Sequence, residues 1–261
     1  MSPVTVLRAV HISAGTVALL TFLIPMMLPK GGRGHRRAGW VFVAAMMTLC
    51  ASAGPLSIYR LATETSRAAL VTAAFLFYIT IMSFSSVWAG LRILRFKGTG
   101  RHAHPLDLGV AGLLAVSGVA TMVMGAAHGA AVLEVFGLLG VVIGVRDFQQ
   151  WLNPNKERMH WWFRHMGGMI GASIAALTAF SVLNAPRFGF RGFSLVAWVL
   201  PGALFLPVAI AWNRYYRRKF GMDVPSEPGA EVTPGVPYDP RGARHFSPPR
   251  RSAGRTVARH V

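Results

Sequence analysis

The run Met166–Asn184, MGGMIGASIAALTAFSVLN, carries no charged side chain and follows directly on RMHWWFRH. Wound as helix, about 19 such residues reach roughly 28 Å, close to the roughly 30 Å of a bilayer's hydrocarbon core. Lipid offers nothing to pair with backbone N–H and C=O groups, so a run of this kind has to satisfy them internally, as a helix. The same grammar, a charged aromatic collar followed by an apolar run, recurs along the chain. The fold class it predicts is all-α, a polytopic transmembrane helix bundle.

Seven runs can be delimited: Val4–Leu28, Ala38–Tyr59, Ala68–Leu91, Leu108–Gly125, a short Ala130–Val145, Met166–Asn184 and Phe193–Trp212. The first is interrupted only by Arg8 and His11, lacks a small-residue cleavage site after it, and reads as a retained span in place of a signal peptide. The last contains Pro201 and Pro207, tolerated in a membrane helix where neighbours satisfy the freed carbonyls. Domain organisation follows: residues 1–220 form the membrane domain, and residues 221–261 a disordered tail. That tail is rich in proline, poor in apolar side chains, acidic up to Asp239 and basic from Arg241 to Arg259. It cannot bury enough surface to offset its ordering entropy. A cytoplasmic partner docking on the tail is the functional alternative to a tail that rests on lipid.

Loop charges give an orientation, because cytoplasmic loops retain the Lys and Arg excess. Lys30, Arg33, Arg36 and Arg37 lie after run one, Arg92, Arg95, Lys97 and Arg101 after run three, and Arg146, Lys156, Arg158 and Arg164 after run five. Arg214, Arg217, Arg218 and Lys219 follow run seven, whereas the intervening loops hold only Arg60 and Arg67, none, and Arg187 and Arg191. The expected N-terminus is outside and the C-terminus inside. Most tryptophans, among them Trp40, Trp88, Trp161 and Trp162, fall at the inner end, where amphipathic rings favour the head-group level.

With 27 Lys and Arg against 9 Asp and Glu, a nucleic-acid ligand has to be considered. The cations flank apolar runs instead of lining one polar face, and 53% of residues are hydrophobic against 14% charged. Their counter-ions are therefore anionic lipid head groups, and no nucleic acid is expected. The single Cys50 excludes an intrachain disulfide. No nucleophile elbow, phosphate-binding glycine loop or metalloprotease signature is present, which disfavours a hydrolase or a nucleotide-driven pump.

Small residues recur where helices would touch: Gly140 and Gly144, Gly167 and Gly171, and Gly109, Gly112 and Gly118. Close approach in lipid needs such residues, so runs four, five and six are expected to pack as a tight core, with homo-oligomerisation as the alternative use.

Ionisable groups at membrane depth are costly unless paired or hydrated, and they mark candidate sites. At the outer level stand His11, His128 and Glu134, which could bind a metal, supply a haem ligand or relay protons, or of which Glu134 could simply pair with His11. At the inner level stand His35, Arg36 and Arg37 before run two, His160, Arg164 and His165 before run six, and Asp147 closing run five. Positive side chains at a positive helix end call for an anion. Asp147 supplies one charge, and lipid phosphate, a phosphorylated metabolite or haem propionates could supply the rest. His35 and His165 lie at similar depth, as axial ligands from two helices to one iron must. His102, His104, His245 and His260 are read as loop or tail residues.

His11 in HISAGTVALL, the basic entry HRRAGWVFVAAM, the Asp of GVVIGVRDFQQW and the entry RHMGGMIGASIAALTAF together resemble a family of uncharacterised bacterial multi-pass membrane proteins, a domain of unknown function. The resemblance covers roughly residues 5–185. It implies a bacterial inner membrane and points to His11, His35, Arg36, Asp147, Arg164 and His165, without bringing an activity. Three readings follow: a haem b or metal protein with a redox role, a proton-coupled permease, and a non-enzymatic lipid-binding scaffold.

Overall fold

The computed structural model describes residues 2–97, 103–153, 157, 159–188 and 195–222. Arg101, His102, Lys156, Arg158, Arg191, Phe193 and the tail expected from residue 221 onward, apart from Gly221 and Met222, lie outside the described residues. Every regular element described is helical. They are α1 (Pro3–Thr21), a short α2 (Leu23–Met27), α3 (Arg33–Thr63), α4 (Arg67–Arg92), α5 (Pro105–His128), α6 (Ala131–Leu152), α7 (His160–Asn184) and α8 (Leu195–Lys219).

Local chemistry sets the ends. The Ser66 hydroxyl accepts the Ala69 amide at the start of α4, as an N-cap does. At the start of α5 the His104 ring accepts the Leu106 amide, while Asp107 accepts the His104 amide at 3.0 Å. Gly129 then ends α5 with φ 62°, the left-handed conformation that glycine takes without a Cβ penalty.

Among the described residues six helical stretches are long and apolar enough to cross a membrane, with α1 and α2 together making the first. The seventh long helix, α6, falls short because Glu134, Arg146 and Asp147 share its length. It nevertheless lies along α5 from end to end, as the glycine seam between them shows. A Cβ on Gly137 would lie 2.6 Å from the Met122 nitrogen, and one on Gly144 2.6 Å from that of Ala115. The two helices touch backbone to backbone.

α4 is the hub, packing against α3, α5 and α7, while α1 packs on α3 and α8 on α7. The tight core expected of runs four, five and six is found for α5 and α6. α7 joins α4 instead, where a Cβ on Gly168 would lie 2.7 Å from the Gly90 Cα, whereas Gly167 faces open space. Periodicity alone could not say which of two adjacent glycines meets a neighbour. Interior side chains form two main groups, one around Phe22, Phe42, Met46 and Val87, the other around Phe75, Tyr78, Leu114 and Trp198. Outward, the bundle presents Ile12, Leu20, Val116 and Leu204, each more than half exposed. Such a surface suits acyl chains, not water.

Candidate functional site

His35 lies in the first turn of α3 and His165 in the second turn of α7. Their ring centroids are 6.4 Å apart with planes at 75°. Each ring is held from behind by a backbone carbonyl. His35 Nδ1 lies 3.0 Å from the Pro25 oxygen, and His165 Nδ1 lies 2.7 Å from the Gly90 oxygen. A carbonyl can only accept, so in both rings Nδ1 carries the proton. The neutral ring then offers its Nε2 lone pair, the arrangement by which a carbonyl orients a metal-ligating histidine.

The sequence explains why these carbonyls are free. Four residues after Pro25 comes Pro29, which has no N–H to donate into the helix ladder. The Lys30 ammonium fills in, donating to the Pro25 oxygen at 3.0 Å and to the Met26 oxygen. Gly90 lies in the last turn of α4, just before the 3-10 turn Ile93–Phe96. Helix ends leave carbonyls without amide partners, and the shift to tighter bonding changes which amide reaches which oxygen. Both acceptors thus sit at the negative ends of short or terminating helices.

The two histidines border one cavity of about 350 Å³. Its walls are mainly apolar and aromatic, among them Phe22, Met26, Trp40, Trp162, Met166 and Met169. α7 lines it from Trp161 to Ser173, about 18 Å of helix. Three cations, Lys30, Arg36 and Lys97, complete the lining, and among the described residues no Asp or Glu belongs to it. Lys30 Nζ lies 5.2 Å from the centre of the Trp212 ring, and Lys97 Nζ lies 4.5 Å from that of Trp161. Burial draws the Lys30 ammonium below its ordinary pKa range, because a partly dry site penalises the charged form.

Beside the cavity, Arg164 pairs with Asp147 at 2.8 Å and also donates to Gln150. Asp147 therefore answers one of the inner cations, Arg164. Arg36 and Arg37 are both exposed, and of the two only Arg36 borders the cavity. His160 is turned to the Glu157 oxygen at 3.2 Å.

Among the described residues the three outer side chains do not gather as one group. His11, half-buried, lies 3.1 Å from the Ser52 hydroxyl on α3. His128 is exposed, with its Nδ1 on the Met124 oxygen and Arg67 donating to its Nε2 at 3.2 Å. Glu134 is exposed in the first turn of α6. Among the described residues no three His, Cys, Asp or Glu side chains gather as a metal-binding set. The inner arrangement is a pair.

Two features escape a reading of the sequence. Asp107, fully buried, takes a two-pronged bond from Arg92 at 2.7 and 2.6 Å and a third from Trp88 Nε1 at 3.0 Å. His104-Pro-Leu-Asp107 carries the capping-box spacing that signals it. The second is the pair Lys30 and Lys97, brought to one cavity from separate loops, for which no local signal exists.

Fold and surface together define a polytopic α-helical membrane protein with a histidine pair facing an apolar cavity. No family model, no curated protein and no solved structure matches the chain. The bacterial domain of unknown function described above remains a resemblance and does not identify a family.

Proposed function

We propose that the cavity between α3 and α7 holds haem b, with His35 and His165 as its two axial ligands and electron transfer as its use. The observation that carries the reading is the spacing of two rings whose Nδ1 protons are already committed. Imidazole nitrogens each about 2 Å from one metal ion put the ring centroids roughly 6 Å apart, close to the 6.4 Å between His35 and His165. The surroundings agree. Apolar and aromatic walls suit a macrocycle, Gly39 leaves open space beside His35, and the bordering charges are all positive. Haem iron held by two histidines would supply one-electron chemistry. His35 and His165 would hold and orient it, and Trp162, Met166 and Met169 would keep water from it.

The charge of the loops supports a cytoplasmic face for this end, and the resemblance supports a bacterial inner membrane. The permease reading needs His11, His128 and Glu134 to act together, and among the described residues no hydrogen bond or ion pair joins them. The scaffold reading, in which the basic end holds anionic lipid, leaves the fixed ring orientations without a purpose. A copper reading has one observation of its own: Met26, Met166 and Met169 border the same cavity, and thioethers favour Cu(I).

The test is a visible spectrum of the detergent-purified protein, oxidised and dithionite-reduced, with metal analysis of the same sample. Near-stoichiometric haem with low-spin bands is expected, and His35→Ala or His165→Ala should each abolish most of it while membrane insertion persists. Folded wild-type protein from haem-replete cells that carries no haem would refute the proposal, and copper in its place would move the same histidines to the other metal.

A further inference from the structure

We infer that Lys30, Arg36 and Lys97 form a carboxylate clamp at the rim of the cavity, so that the ligand carries two acidic groups on one edge and lies with that edge toward the basic end of the bundle. The inference rests on the haem reading and adds to it an orientation and a selectivity.

Three observations carry it. Among the described residues the cavity border contains three cations and no acid, an imbalance of three charges around a mainly apolar space. All three come from one end of the bundle: Lys30 from the α2–α3 connection, Arg36 from the first turn of α3, Lys97 from just past the 3-10 turn after α4. The two part-buried cations nearby that are not on this border have found carboxylates. Arg92 is bonded to Asp107, and Arg164 to Asp147. Among the described residues no ion pair engages Lys30, Arg36 or Lys97.

The positions of two of the three are also fixed in advance. Lys30 is tied by its bonds to the Pro25 and Met26 carbonyls and lies over Trp212. Lys97 lies over Trp161. An ammonium over an aromatic face keeps its charge available to an incoming anion. Lys30 and His35 share the Pro25 oxygen, so the group that orients one ligand histidine also anchors one arm of the clamp. Lipid phosphate is the other anion such a rim could meet, and it predicts a different result below.

The experiment uses the full-length protein, made under haem limitation and placed in nanodiscs of zwitterionic lipid. It is titrated with haemin and with haemin dimethyl ester, whose propionates are uncharged. Wild type should take haemin roughly tenfold more tightly or better, the size expected of two or three partly exposed charge contacts. The triple variant Lys30→Met, Arg36→Met, Lys97→Met should lose most of that preference. Its binding of the diester, with low-spin bands intact, shows that the variant is folded. Arg36→Met alone should lose part of the preference, since Arg36 is exposed and holds nothing else in place. Equal affinity of wild type for the two forms, both giving low-spin spectra, overturns the clamp and leaves the histidine pair standing. A preference that disappears in anionic lipid assigns the rim to phosphate and likewise overturns it. Failure of wild type to bind either form removes the haem reading itself, and the clamp with it.

Discussion

The α5–α6 hairpin and the cavity between α3 and α7 are built in opposite ways from the same kind of residue. In the hairpin, Gly118, Gly137 and Gly144 lie where a Cβ would strike the facing backbone at 2.8 Å or less. At the cavity, a Cβ on Gly39 would meet nothing within 4 Å. Glycine closes one seam and leaves the other open. The hairpin also has its two buried carboxylates paired: Asp107 ties α5 to Arg92 of α4, and Asp147 ties α6 to Arg164 of α7. The cavity keeps two ring nitrogens and three cations without a carboxylate. Strength is concentrated in one region and unmet chemistry in the other, as expected where function is set against stability.

The largest effect should come from Asp107→Ala, which leaves the part-buried Arg92 guanidinium without its carboxylate. The loss should be about 3–5 kcal/mol, read as a lower midpoint in denaturant or heat, with the spectrum of any bound cofactor unmoved. Asp147→Ala should destabilise comparably and also disturb that spectrum, because Arg164 adjoins His165 in α7. If the two variants behaved alike, the hairpin and the cavity would not be separate regions.

Next comes Gly137→Ala. The new methyl meets backbone atoms of Met122 and Gly118, which cannot swing aside as a side chain can. Separating α5 from α6 should cost about 1–3 kcal/mol, a drop in midpoint that tryptophan fluorescence would follow. A neutral result would mean that the seam relaxes at no cost.

Helices were legible in the sequence because lipid permits a single solution for an apolar run, and the nearness of His35 and His165 because both stand at entries to runs that start from the same end of the bundle. Which glycines meet was not legible: Gly167 and Gly168 are adjacent, and only the rotation of α7 against α4 decides between them. Nor were the partners of His11 and His128. Depth along a helix can be counted from sequence, but azimuth around the bundle cannot, and His11 turned toward Ser52 of α3 while His128 met Arg67. Asp107 could have been found by its capping spacing to His104. Lys30 and Lys97 could not, since their meeting depends on where two loops return.

His11→Ala tests the same division among histidines at a smaller scale. It removes one bond to Ser52, whose hydroxyl also lies 2.9 Å from the Thr48 and Leu49 carbonyls, so little is left unsatisfied. A loss of about 1 kcal/mol is expected, with cofactor content equal to wild type. Loss of cofactor would place His11 among the ligands and move the site outward.

Gly39→Ala should change stability least. Alanine is the better helix former by about 1 kcal/mol, and the added methyl enters empty space, so the midpoint should hold or rise slightly. The space is nevertheless part of the cavity border. Gly39→Leu should therefore leave the midpoint near wild type while lowering cofactor occupancy, measured as absorbance per protein. Stability and occupancy moving apart at Gly39, but together at Asp147, is the pattern that separates a packed seam from a binding space. If occupancy is untouched by leucine, the ligand does not reach past His35 toward α3, and the cavity is filled from the α7 side alone.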